Sequence, residues 1–335
     1  MSEYKGIKGF QVTTRTEDPS EGTAGDFYYN SSTGQFKTVG TGGVALGTWS
    51  SGGSLNNTRT DLTGTGTKAA GLAIGGRPGN LDYVEQYNGT SWSEIAEIGT
   101  GRYAGAAAGS PSAALYFGGY ITTAPSGARN LTENWNGSSW TEVNELNSTI
   151  AYQFGLGTST AAISAAGNRY SPIVANYETW DGTNWTAAGS MNAAKLVGAR
   201  GLGTQTAGLA AGGYTPSTST SVNQVEEFDG SSWSEITELN TGRRYSGGSG
   251  TSTSGLVISG NVSGPPSTTV CEAWNGSSWT EVADVATGRE VAGSSGNEDN
   301  STGLFFGGTA GGVGVQAITE EWQVPDFEIK TVTTS

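Results

Sequence analysis

The sequence predicts an all-β fold: a six-bladed β-propeller of four-stranded antiparallel blades, preceded by a short N-terminal β-hairpin module. Three observations carry that expectation. One motif is written five times, as "EQYNGTSWSEI" from Glu85, "ENWNGSSWTEV" from Glu133, "ETWDGTNWTAA" from Glu178, "EEFDGSSWSEI" from Glu226 and "EAWNGSSWTEV" from Glu272. Tryptophan recurs at Trp49, Trp92, Trp140, Trp185, Trp233 and Trp279, at intervals of 43 to 48 residues. The 335 residues include 55 Gly, yet also 10 Trp, 13 Tyr and 9 Phe. A disordered Gly-rich tract lacks that apolar surface. A period of about 45 residues with four strands per unit marks a propeller blade.

In chain order, residues 1–43 read as the separate module, 44–327 as the propeller and 328–335 as a tail. Lys5 and Lys8 have no apolar run behind them, so no secretory leader is expected. No segment is long and apolar enough to suggest membrane insertion. Trp49 has the signature of a fourth strand, but Gly42 stands where the preceding Glu should be. It is therefore expected to close the last blade, with Phe327, seven residues after Glu320, as a rival.

Each unit then repeats one order. Ten residues after each Trp stand Arg59, Arg102, Ile150, Lys195, Arg243 and Arg289, opening a first strand such as "YAGAAAG" or "YSGGSG". A second strand runs into glycine, from "GLAIGG" to "LFFGG", where two backbones are expected to approach closely. A third carries Glu85, Glu133, Glu178, Glu226, Glu272 or Glu320 with an aromatic in alternating register. Asn-Gly or Asp-Gly then predicts a tight hairpin with both turn residues at positive φ. The fourth strand begins at Trp.

Composition excludes several chemistries. Without a single His there is no Ser-His-Asp triad and no His-dependent metal site. Cys271 is the lone cysteine and reads as a small buried hydrophobe. A net charge of −14 with only 16 Lys and Arg argues against nucleic acid as a partner. The "GNEDNSTG" segment around Asp299 reads as a solvated turn, since it lacks calcium-ligand spacing. No catalytic residue, metal or cofactor is assigned.

The order Gly-Gly, Glu, aromatic, turn, Trp, Arg resembles the kelch repeat from Val44 to Phe327. That family's copper oxidases need His, which is missing here. Asp-box sialidase propellers are a more distant likeness through "WNGSSW", and their acid and arginine constellation finds no place. The stretch "GDFYYNSSTGQF", with Gly25, Tyr28, Tyr29, Asn30 and Phe36, resembles a preamble in structural proteins of marine tailed bacteriophages. That resemblance implies a non-enzymatic virion protein of tail-fibre type, released by lysis. Its N-terminal module would dock on other virion proteins or form a homo-oligomer, and its propeller would face host-surface glycan. The alternatives are a capsid or tail decoration that recognises no host, and a glycan-cleaving enzyme with an asymmetric acid pair.

The six Glu and the Arg series read as a ring of equivalent structural contacts, because a site on a symmetric fold breaks the symmetry. The connections between second and third strands vary most. Loops on a rigid frame are the usual place for recognition. Tyr120, Tyr170 and Tyr214 near the loop starts, with Tyr103, Tyr152 and Tyr245 just after the Arg series, are the binding candidates. Tyrosine suits sugar through stacking and hydrogen bonds; the alternative is that these residues cap the propeller face.

Overall fold

The computed structural model describes residues 12–16, 27–39, 47–123, 125, 127–168, 174–192, 201–215, 220–263, 266–295, 299–324 and 329–331. It divides into two units, Met1–Gly47 with Val324–Ser335, and Thr48–Gln323. The smaller unit holds one sheet of Thr13–Arg15, Phe27–Asn30, Gln35–Val39 and Ile329–Thr331. Its hairpin pairs Tyr29 with Phe36, and the Asn30 side chain caps the turn by accepting the Ser32 and Thr33 N–H groups. Ile329–Thr331, inside the expected tail, pairs antiparallel with Gln35–Val39.

The larger unit is an all-β, propeller-like arrangement of four-stranded antiparallel sheets. Sheet 1 comprises Thr63–Gly66, Gly71–Ile74, Val84–Tyr87 and Trp92–Glu94. Sheet 2 comprises Ala106–Ser110, Ala113–Phe117, Thr132–Trp135 and Trp140–Val143. Sheet 3 comprises Phe154–Gly157, Ala162–Ala165, Asn176–Trp180 and Trp185–Ser190. Sheet 4 comprises Gly201–Thr204, Ala207–Ala211, Val225–Phe228 and Trp233–Ile236. Sheet 5 comprises Gly247–Gly250, Gly255–Ile258, Cys271–Trp274 and Trp279–Val282. Sheet 6 joins Gly293–Ser294, Thr302–Phe306 and Thr319–Gln323 to Thr48–Gly52, with Trp49 opposite Trp322. Phe327, the rival to Trp49, lies outside the described residues.

Small residues make the first strands, and this lets them crowd. Each first strand touches the first strand of the next sheet, from sheet 1 through sheet 6 and back to sheet 1. Aromatic rings fill the wedges farther out. Trp92 meets Phe306 at 4.7 Å, Phe117 meets Trp185 at 4.9 Å and Phe154 meets Trp233 at 6.0 Å, each pair spanning two sheets. The core is accordingly a set of inter-sheet clusters in which buried Leu, Ile, Phe and Trp alternate. Cys271 is buried as expected, and burial pushes its thiol up to about 12.

The glycine pairs work as the repeat implied. Gly118 and Gly119 take φ of 64° and 103°, a region closed to most side chains. The second glycine of a pair then donates its N–H to the next sheet, Gly76 to Arg102 O, Gly213 to Arg243 O and Gly308 to Arg59 O. A Cβ on Gly75 would stand 2.5 Å from Arg102 O, so no larger residue fits this stitch.

The hairpin turn departs from expectation. Gly137 has a positive φ but Asn136 does not, and Trp135 pairs with Trp140 across a four-residue loop. Asn136 Oδ1 accepts the N–H groups of Ser138 and Ser139 at 3.0 Å each. The side chain thus mimics a turn of backbone, which relieves Asn136 of the left-handed conformation a two-residue turn demands. Asp181 and Asp229 do the same in sheets 3 and 4, and these bonds hold both carboxyls below the usual range.

Candidate active site where the first strands meet

The repeated acids are locked. Arg59 Nη2 lies 2.8 Å from Glu85 Oε1, both side chains fully buried, and the arginine also donates to Gly75 O and Tyr83 O. The second Glu85 oxygen accepts Asn56 N and Nδ2. Arg102–Glu133, Arg243–Glu272 and Arg289–Glu320 repeat the pairing at 2.5 to 2.6 Å. In sheet 3 Ile150 replaces the arginine, and Glu178 accepts Asn147 N and Nδ2. Lys195 lies outside the described residues. Buried and hydrogen-bonded, these carboxylates tie connections to third strands.

Two residues beyond each of these positions the pattern changes character. Asp61, Ala104, Tyr152, Tyr245 and Val291 all take φ between 50° and 59°, although none is glycine. Each is pinned to its neighbour by backbone. Ala104 N–H donates to Asp61 O at 2.8 Å, Tyr152 to Ala104 O at 2.7 Å, Val291 to Tyr245 O at 3.0 Å and Asp61 to Val291 O at 2.9 Å. Val197, their counterpart in sheet 4, lies outside the described residues. Non-glycine residues held in this region cost on the order of 1 kcal/mol or more each, and such strain clusters at functional sites.

These five positions line a hollow of about 80 Å³. Asp61, Tyr152, Gln153, Tyr245 and Ser246 supply its polar lining, and Ala104 to Ala107, Phe154 and Val291 its apolar wall. Asp61 is the carboxylate among the lining residues, 8% exposed. Burial pushes its carboxyl up to about 6, the Arg77 guanidinium pulls back, and Glu290 adds to the push. Arg77 Nε sits 3.1 Å from Asp61 Oδ2, with its guanidinium 5.0 Å from the centre of the Tyr103 ring. Burial also raises the Tyr152 and Tyr245 phenols, so both stay protonated donors at neutral pH.

Of the six tyrosine candidates, five lie among the described residues. Tyr152 and Tyr245 line the hollow. Tyr103 is buried beneath Arg77 and touches Tyr120 at 5.5 Å and Tyr152 at 6.5 Å. Tyr214 packs on Arg244. Tyr170 lies outside the described residues. The sequence reading missed Asp61 and Arg77. The available signal was the acid two places after Arg59, where the other units carry Ala, Tyr or Val. At Asp299, Oδ1 is spent on Ser301 N and Oγ, as in an ordinary turn, and no metal-holding cluster of His, Cys, Asp or Glu occurs among the described residues.

No family model and no curated protein matches the chain. Among solved structures it is similar to YjhT, with a TM-score of 0.68 and 14% identity over 84% of this chain and 99% of that one. At that identity the likeness establishes shared fold. It also overturns the expectation of a virion protein of a marine tailed phage, because the matched structure is that of a bacterial protein. The "YYN…F" stretch is a capped hairpin, a pattern set by local turn chemistry and not by provenance. The tail-fibre, host-attachment and decoration readings fall with it. So does the expectation that the chain is no enzyme, which rested on the lack of a distinctive carboxylate. Asp61 is one.

Proposed function

We propose that the larger unit is a six-bladed propeller of kelch type, closed by the Trp49 strand, and that its axial hollow is an enzyme site. The first strands that touch in a cycle and the pairing of Trp49 with Trp322 support the architecture. The chemistry is proton transfer on a saccharide-class ligand, with Asp61 as the acid and then the base. A carboxyl poised near 6 can give a proton to a departing or ring oxygen and take one back at neutral pH. Tyr152 and Tyr245 offer ring faces to C–H groups and phenols to hydroxyls. One observation carries the reading: Asp61 breaks the repeat with a buried carboxyl where every other unit is uncharged.

The test is ligand-observed NMR of the full chain against mono- and disaccharides, followed by turnover of whichever binds. The rate should show a limb near pH 6, and Asp61→Asn should keep binding but lose turnover. Undiminished turnover in Asp61→Asn, or no sugar bound at millimolar concentration, ends the proposal.

A further inference from the structure

The hairpin turns of sheets 1, 2 and 5 carry amides that the reaction proposed for the hollow does not use. Asn88, Asn136 and Asn275 each precede a glycine, and all three are exposed. Asn136 Oδ1 accepts Ser138 N and Oγ at 3.0 and 2.9 Å, Ser139 N at 3.0 Å and, more loosely, Ser139 Oγ at 3.4 Å. Asn275 repeats this with Ser277 and Ser278, at 2.9 to 3.3 Å. Asn88 Oδ1 accepts the N–H groups of Thr90 and Ser91. In sheets 3 and 4 the same place is held by Asp181 and Asp229, with the same kind of donors. There the cradle meets a full negative charge. The Ser232 N–H and the Ser231 hydroxyl bring the Asp229 carboxyl down to about 2, and the N–H groups of Asn184 and Thr183 lower that of Asp181.

We infer that Asn136, Asn275 and Asn88 are self-modification sites, at which the turn itself promotes loss of the side-chain amide to give aspartate or isoaspartate. The N–H of the following glycine gives its proton to hydroxide, and its nitrogen attacks the asparagine Cγ. A Cγ–N bond forms and the carbonyl electron pair moves onto Oδ1. Collapse breaks the Cγ–Nδ2 bond, and ammonia leaves with a proton taken from water. Water then opens the cyclic imide at either carbonyl. Glycine has no Cβ to obstruct the approach. The donors aimed at Oδ1 are those the oxyanion needs, in place before the charge develops. Asp181 and Asp229 show both that such donors favour charge on that oxygen and that the turn accepts the aspartate product. Isoaspartate lengthens the main chain by one methylene and loosens the hairpin instead. Asn30 supplies the contrast within the same chain. Its Oδ1 also accepts two N–H groups, from Ser32 and Thr33, but Asn30 is buried and Ser31 follows it.

Peptide mapping by mass spectrometry tests this, on the full chain kept at mildly alkaline pH with and without urea. Asn136 and Asn275 should convert fastest, Asn88 more slowly and Asn30 not at all, and the three turns should convert faster folded than in urea. Ser138→Ala removes one hydroxyl donor from an exposed loop. It should slow Asn136 about fivefold relative to Asn275, the difference between a hydrogen bond to a charged oxygen and one to a neutral oxygen. Ser277→Ala should reverse that ratio, so each turn serves as the reference for the other. An unchanged ratio in both variants overturns the inference, as does slower conversion of the three turns in the folded chain than in urea.

Discussion

Two sets of side chains lie two residues apart along the same connections, and evolution of the repeat has treated them in opposite ways. At the Arg59 position the side chain is the constant: a buried arginine clamps a buried glutamate in sheets 1, 2, 5 and 6. At the Asp61 position the backbone is the constant, a left-handed residue in a neighbour-to-neighbour hydrogen bond, while the side chain varies from Ala to Tyr. A clamp that must satisfy its charges in the interior leaves its residues no freedom. A stitch made by N–H and C=O groups leaves the side chain free. The site arises at the second set because the frame there does not depend on what the residue is.

That contrast can be broken from either side. The largest effect is expected at the clamp. Arg102→Met strands Glu133 without its partner and should cost about 3–5 kcal/mol in urea unfolding. Arg102→Met with Glu133→Leu should recover much of that loss; equal loss in the single and double variants would mean that packing, not the stranded charge, dominates.

Asp61→Asn should act in the opposite direction. The folded protein holds the Asp61 proton up to about pH 6, whereas the unfolded chain releases it near pH 4. Stability therefore falls as pH rises through that window, and the penalty persists above it. The amide removes the penalty, so the variant should gain about 1–3 kcal/mol at pH 7.5 and nothing below about pH 4. A pH-independent difference between the two melting curves would refute the assignment.

Asn136→Ala removes a turn cap that serves a single hairpin and should cost about 1 kcal/mol, by the same measurement. Asn136→Asp should cost less, since Asp181 and Asp229 already fill that role elsewhere. Smallest of all, Tyr214→Ala, which removes a ring stacked on Arg244, should change stability by less than about 1 kcal/mol in the same unfolding measurement.

The fold was readable because its instructions are local and repeated. Trp, Gly-Gly and Glu at fixed offsets name a strand order, and Trp49 announces by its orphaned signature that it pairs far along the chain with Trp322. The turn was misread because "NG" looks alike whether the asparagine lends its backbone or its side chain. Only Oδ1 and its two N–H partners decide which. The site was half legible. Tyr152 and Tyr245 were singled out and line the hollow, but Asp61 was not, since ranking it required knowing that a non-glycine residue adopts a left-handed backbone. Arg243 and Arg244 are consecutive in the chain. Their neighbours separate them: one reaches Glu272, the other two aromatic rings.

Sheet 6 has a consequence for biosynthesis. Its outermost strand, Thr48–Gly52, leaves the ribosome among the earliest segments of this unit, and the partner strand Thr319–Gln323 is the last. That edge must wait, unpaired, through some 270 residues of translation. Its Thr, Ser and Gly content suits the interval, because a polar edge recruits stray strands poorly. When Trp322 finally arrives opposite Trp49, the same event that completes the sheet also fastens the first-made strand of this unit to its last-made one.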